Sequence, residues 1–171
     1  MAAEEELQTE PLVREPGDKD ALYLLDVRGV GESLPDDPRG LFHPYNADYL
    51  FHGFSGMLGE SYFGRRVFDV LRTLDPLAAE GADEVSLAGR GQGGILALFA
   101  GLLHPRVTRL TLKNAPSTFH EWTQSPEVVW PCSSFPRGIL RVADLPDLLE
   151  AFPGRVRIHE PWGPSMDARR A

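Results

Sequence analysis

Between Val85 and Leu103 a strand-like run, a glycine-rich turn and an apolar helix follow one another, and here residue types and spacing could do chemistry. The turn reads Gly89-Arg90-Gly91-Gln92-Gly93-Gly94. One chemistry is that of a nucleophile elbow, G-x-S-x-G. Its glycines permit a strained turn, its serine stands above the sheet, and the next amide points into an oxyanion hole. Gly89 and Gly93 match the flanking glycines, but Gly91 holds the serine position and offers nothing to acylate. The second chemistry is the dinucleotide fingerprint G-x-G-x-x-G, in which a helix N-terminus faces a pyrophosphate. Gly89, Gly91 and Gly94 match its spacing, so NAD or NADP is the implied cofactor. The fingerprint expects an acidic residue about 20 positions on, to hold the ribose hydroxyls. Lys113 and Asn114 stand there instead, and Lys113 would suit a 2′-phosphate. A third reading gives Gly89, Gly91, Gln92, Gly93 and Gly94 no ligand and lets the glycines serve tight packing alone. All three stay open at this point.

Other side chains could rebuild a hydrolytic site only as a nucleophile, a base and an orienting acid within hydrogen-bond reach. Ser55 lies in His52-Gly53-Phe54-Ser55-Gly56, a segment that reads as a loop. Ser117 and His120 follow the third apolar run, on the side of a parallel sheet where ligands bind. The spacing of Thr118 and Glu121 equally fits a helix capping box. Cys132 is the only cysteine, which excludes an intramolecular disulfide and a thiolate metal cluster. It reads as a small buried hydrophobe. The histidines His43, His52, His104, His120 and His159 show no metal-binding spacing, and no metal is expected. Asp26 is expected to accept hydrogen bonds from turn amides, with Arg28 as its ion-pair partner.

These residues need elements to hold them. The run Ala21-Leu22-Tyr23-Leu24-Leu25-Asp26-Val27 predicts a buried strand, bounded by the glycines at 29 and 31. A polar, proline-rich stretch covers 34–48. Val67, Val70, Leu71 and Leu74 repeat at helical spacing, and Pro76 and Gly81 mark that helix's end. Residues 84–88 predict a second strand, 95–103 a helix buried on all sides and stopped by Pro105, and 109–113 a third strand. Asp144-Leu145-Pro146 opens a short helix to about Phe152, and 155–159 is a fourth strand. Strands alternating with helices predict an α/β class with parallel pairing.

Composition bounds the partners. The chain has 171 residues, 42% hydrophobic and 25% charged, which suits one ordinary domain. A net charge of -8 argues against nucleic acid or anionic lipid as a general partner. No apolar run reaches the roughly 18–20 residues that span a bilayer. The acidic start Met-Ala-Ala-Glu-Glu-Glu has no signal-peptide character, so a soluble, cytoplasmic chain is expected. Residues 1–20 read as a loose polar arm, 21–163 as the domain, and 164–171 as a tail.

Two segments together carry a family resemblance. Asp26-Val27-Arg28-Gly29-Val30-Gly31-Glu32-Ser33 resembles the D-x-R-G-x-G-x-S segment after the fourth strand of α/β-hydrolases. Gly89-Arg90-Gly91-Gln92-Gly93-Gly94 resembles the G-x-S-Q-G-G elbow of acetyl xylan esterases. The resemblance covers about residues 20–162 and implies a partial α/β-hydrolase-like sheet flanked by helices in three αβα layers. It puts the family's serine at Gly91 and its acid near Gly163, with Glu160 and Asp167 as offset carboxylates. The family's histidine follows an eighth strand, before which this chain ends. Its third strand, between the fourth and fifth in the sheet, has no counterpart beyond the polar arm. The resemblance therefore implies a degenerate or partial domain related to carbohydrate esterases, non-catalytic alone. The alternatives are an esterase or peptidase-like hydrolase with a relocated nucleophile, an NAD(P)-binding module, and a module that self-associates, or joins another hydrolase segment, through an open sheet edge.

Overall fold

The computed structural model describes residues 21–34 and 46–167. The arm at 1–20, residues 35–45 of the proline-rich stretch and the end of the tail lie outside the described residues. Three parallel strands form an open sheet in the order β1 (Val85–Arg90), β2 (Val107–Lys113), β3 (Arg155–His159). Five helices accompany them among the described residues: α1 (Asn46–Met57), α2 (Tyr62–Ala79), α3 (Gln92–Leu103), α4 (His120–Gln124) and α5 (Leu145–Ala151). The fold is α/β, an open parallel sheet flanked by helices, as the alternation implies.

Register explains the core. Leu87 lies opposite Leu110 and Leu110 opposite Val156, while Gly89, Leu112 and Ile158 form the next row. α3 packs on this apolar face against β1 and β2. It can do so because it is apolar all round: Ile95, Leu96, Ala97, Leu98 and Ala100 are all buried. α2 then packs on α3 through Phe63, Val67, Val70 and Leu74, the stripe its spacing predicts. Ser61 caps α2 by accepting from the Gly64 amide at 3.0 Å. The helix runs past Pro76 to Ala79, and Gly81 turns the chain beyond it with φ of 99°.

Three expectations need correction. The run 21–27 is no strand: it has no ladder partner among the described residues, and Leu22, Tyr23, Leu24 and Leu25 are exposed. Only Val27 enters the core. An apolar run becomes a strand only where an edge receives its amides. The segment around Ser55 is not a loop but the last turns of α1. Gly53 and Gly56 weaken its helix propensity, yet packing against α2 and the 132–134 turn holds it. The capping box at Thr118 and Glu121 does not form, because α4 starts at His120 with Phe119 as its N-cap residue. Thr118 Oγ1 donates to Asp144 instead.

Candidate functional site

The glycine turn sits at the C-terminal end of β1, and its four glycines have different causes. A Cβ on Gly89 would overlap the backbone of Gly93 and Gly94. One on Gly94 would lie 3.0 Å from the Ala115 Cβ. These two positions therefore let the first turn of α3 press onto β1. Gly93 has open space. Gly91 is set by its backbone: φ of 56° with ψ of -121° is a combination that a Cβ makes strained. Its amide donates to the Lys113 carbonyl at 2.8 Å, which fixes the apex over the sheet.

That apex is roofed. Gly91 is buried, and the nearest atom to an added Cβ is Trp130 Cζ3 at 3.9 Å. Trp130 is itself held by its indole N–H donating to the Gly163 carbonyl at 2.8 Å. Beside the apex lies a buried polar knot. The Arg66 side chain is 2% exposed and bridges Asp48 Oδ1 at 2.7 Å. The same guanidinium donates to Gln92 Oε1 at 2.7 Å, Ser133 Oγ at 3.0 Å and the Arg28 carbonyl at 3.0 Å. It lies 4.6 Å over the Tyr62 ring. Burial pushes the Tyr62 phenol up, so it stays neutral. Gln92 Nε2 donates to Ser133 Oγ at 2.7 Å and Ser134 Oγ at 2.9 Å, and both serines are fully buried. A guanidinium buried this deeply needs its anion and its acceptors, and here it has both. Asp48 Oδ2 and His52 Nδ1 are buried without a partner among the described residues.

Ser133 Oγ accepts from two donors, and among the described residues no hydrogen bond joins it to an imidazole. Ser133 and Ser134 carried no sequence signal, because the arginine that uses Ser133 lies 67 positions away.

The other named residues stay apart. Ser55 is buried on α1, and its carbonyl accepts from the Leu58 and Glu60 amides. Ser117 lines an apolar cavity of about 140 Å³ with Ile95, Leu98, Leu112, Leu145 and Ile158. His120 is exposed, and its amide is bound by Thr118 and Asp144; no hydrogen bond joins its ring to Ser117. Burial pushes the Asp144 carboxyl up, but donation from Thr118 Oγ1 and the amides of Phe119, Leu145 and His120 outweighs it and leaves the acid below its ordinary range. Cys132 is exposed, not buried, because it opens a one-turn 3-10 helix whose serines, Ser133 and Ser134, point inward.

Asp26 accepts from the Glu32 amide at 2.9 Å. Gly31, with φ of 54°, is needed there because a Cβ would overlap the Asp26 carboxylate. Arg28 does not pair with Asp26. Its side chain reaches across to α2 and holds Asp69 at 2.5 and 2.8 Å, with its amide on the same carboxylate at 3.0 Å. That donation holds the Asp69 carboxyl below the usual range and raises the Arg28 pKa. Where the resemblance puts the acid, Gly163 is buried, and its amide donates to the Asp167 carbonyl at 3.1 Å.

One chemical option weakens on this geometry. A dinucleotide would need the turn open to a pyrophosphate, and Gly91 at its apex is buried, with Trp130 Cζ3 3.9 Å from where a Cβ would stand. Lys113, the candidate for a 2′-phosphate, belongs to the sheet face opposite α3. No group of three metal-ligating side chains occurs among the described residues, and no helix there is long and apolar enough to cross a membrane. Comparison with known protein families, curated proteins and solved structures finds no match for this chain.

Proposed function

We propose that this chain is a non-catalytic α/β-hydrolase-like domain, related to carbohydrate esterases, that serves as a scaffold. One observation carries the reading: the elbow backbone is kept at Gly91 while the apex has no side chain and lies buried beneath Trp130. The geometry of an elbow without its nucleophile supports descent from hydrolytic machinery rather than hydrolysis. The relocated-nucleophile alternative loses support because no hydrogen bond joins Ser55 or Ser117 to an imidazole among the described residues. The test is acetyl-ester turnover by the pure folded chain beside Gly91→Ser, with a fluorophosphonate probe on both. The expected result is no turnover and no labelled serine in the native chain. Serine-dependent hydrolysis by the native chain would overturn the proposal. Turnover gained only in Gly91→Ser would leave the native chain non-catalytic and show that base and acid are still supplied.

A second reading, self-association, is favoured by the exposed run Leu22–Leu25 and by β1, which has a strand on one side only among the described residues. Unpaired edges invite strand addition. Sedimentation at rising concentration tests it: a dimer supports this reading, and a strict monomer removes it.

A further inference from the structure

The apolar cavity of about 140 Å³ beside Ser117 lies between α3, α5 and the C-terminal ends of β2 and β3. Ile95 and Leu98 of α3, Leu145 and Leu149 of α5, Leu112 of β2 and Ile158 of β3 form its walls. The gap is not slack shared by the whole interface. Toward the C-terminus of α3 the packing is tight: a Cβ on Gly101 would lie 3.1 Å from Phe152 Cε2 and 3.2 Å from Leu110 Cδ2. The rim is braced as well, because the turns after β2 and β3 are tied together. The Asn114 amide donates to the His159 carbonyl at 2.9 Å, Asn114 Nδ2 to the Glu160 carbonyl at 2.9 Å, and the Trp162 amide to the Ala115 carbonyl at 3.1 Å. Asn114 and Glu160 hold φ of 53° and 46° without being glycine. Such backbone persists only where its surroundings over-determine it, and it clusters at ligand clamps. The carboxyl ends of the strands are also where open parallel sheets receive ligands. Solvent reaches the cavity along β3, since Ile158 lines it and is still 49% exposed.

The lining defines the ligand. No charged side chain borders the cavity, so an ion entering it would lose its hydration with no counter-charge in return. Ser117 brings the one hydroxyl among the lining residues, and no hydrogen bond engages that hydroxyl among the described residues. An apolar cavity of about 150 Å³ accommodates one benzene ring. We infer that this cavity binds a small neutral molecule, a single ring or short chain of about six to eight non-hydrogen atoms, apolar except for one hydroxyl that pairs with Ser117. Neither Gly91 nor Trp130 lines the cavity, so this site stands apart from the scaffold reading.

The experiment titrates the full-length chain, labelled with ¹³C at its isoleucine and leucine methyls, with phenol and with toluene. The two probes share one shape and differ by the hydroxyl. The expected result is saturable shifts centred on the methyls of Ile95, Leu98, Leu112, Leu145, Leu149 and Ile158, with Kd of about 1 mM or tighter. This needs no variant to fold. Ser117→Ala should weaken phenol about three- to tenfold, the worth of one hydrogen bond, and leave toluene unchanged. Ile158→Trp, at the exposed mouth, should abolish saturation by both probes. No saturable shift at these methyls in the unaltered chain would overturn the inference. So would shifts centred on the exposed leucines at 22, 24 and 25, which would show surface adsorption instead. Phenol binding that is indifferent to Ser117→Ala would overturn the proposed ligand class.

Discussion

Two apolar runs, 21–27 and 85–90, have opposite fates. The first is the more apolar, yet it lies exposed without a ladder partner among the described residues. The second contains Ser86, Gly89 and Arg90 and becomes β1, because β2 accepts its amides and Gly89 lets α3 close over it. Apolar content measures how much a segment gains by burial. Pairing depends on an available edge, and that is a property of the rest of the chain. What fixes the first run is at its end: Val27 in the core, Arg28 on Asp69, and the Arg28 carbonyl on Arg66.

The strongest break in this contrast is at Arg66, which joins both regions. Arg66→Ala leaves Asp48 buried without its cation and should cost about 3–5 kcal/mol in denaturant unfolding. The 21–34 segment and the 132–134 turn should lose protection together in hydrogen exchange. Leu110→Ala, beneath α3, should cost about 2–5 kcal/mol with the loss centred on the sheet. Arg28→Ala sharpens the contrast from the other side. Its pair with Asp69 is partly exposed, so global stability should fall by about 1 kcal/mol or less, while exchange at 27–34 rises well above that at β1. Acid acts on that pair and on the Asp144 cap of α5. Asp69 and Asp144 both have lowered pKa values when folded. Their stabilisation is complete above the unfolded value of about 3.9 and is lost as pH falls through the folded values. Unfolding free energy should therefore be flat near neutral pH and drop below about pH 4, with a shallower drop in Asp69→Asn. The smallest effect is Leu24→Ser: an exposed position should change stability by no more than about 0.5 kcal/mol. A larger loss would mean that residues 21–25 are covered in solution.

The helical stripe of α2, the buried α3, β2 and the last strand were all legible, because each repeats one local pattern over many residues. β3 matches its expected range of 155–159. The capping of α5 was legible from Asp144 and Pro146, and Asp147 completes a capping box there. The strand at 21–27 was misread because periodicity cannot report a missing neighbour. The glycine turn was legible as a tight junction between strand and helix, but its roof was not. Trp130, Ser133 and Ser134 matter through Gly163, Arg66 and Gln92, which are far off in sequence. Arg28 illustrates the same limit: adjacency favoured Asp26, and the fold supplied Asp69.

The backbone at Gly91 also acts as a one-way gate in sequence space. At φ of 56° and ψ of -121°, glycine is ranked above every residue with a Cβ by conformational energy alone, by about 1–3 kcal/mol. A larger residue persists at such an apex only where surrounding contacts or a demand for chemistry hold it there. Where that demand lapses, drift toward glycine runs downhill, and the return step must climb the same slope before any activity can favour it.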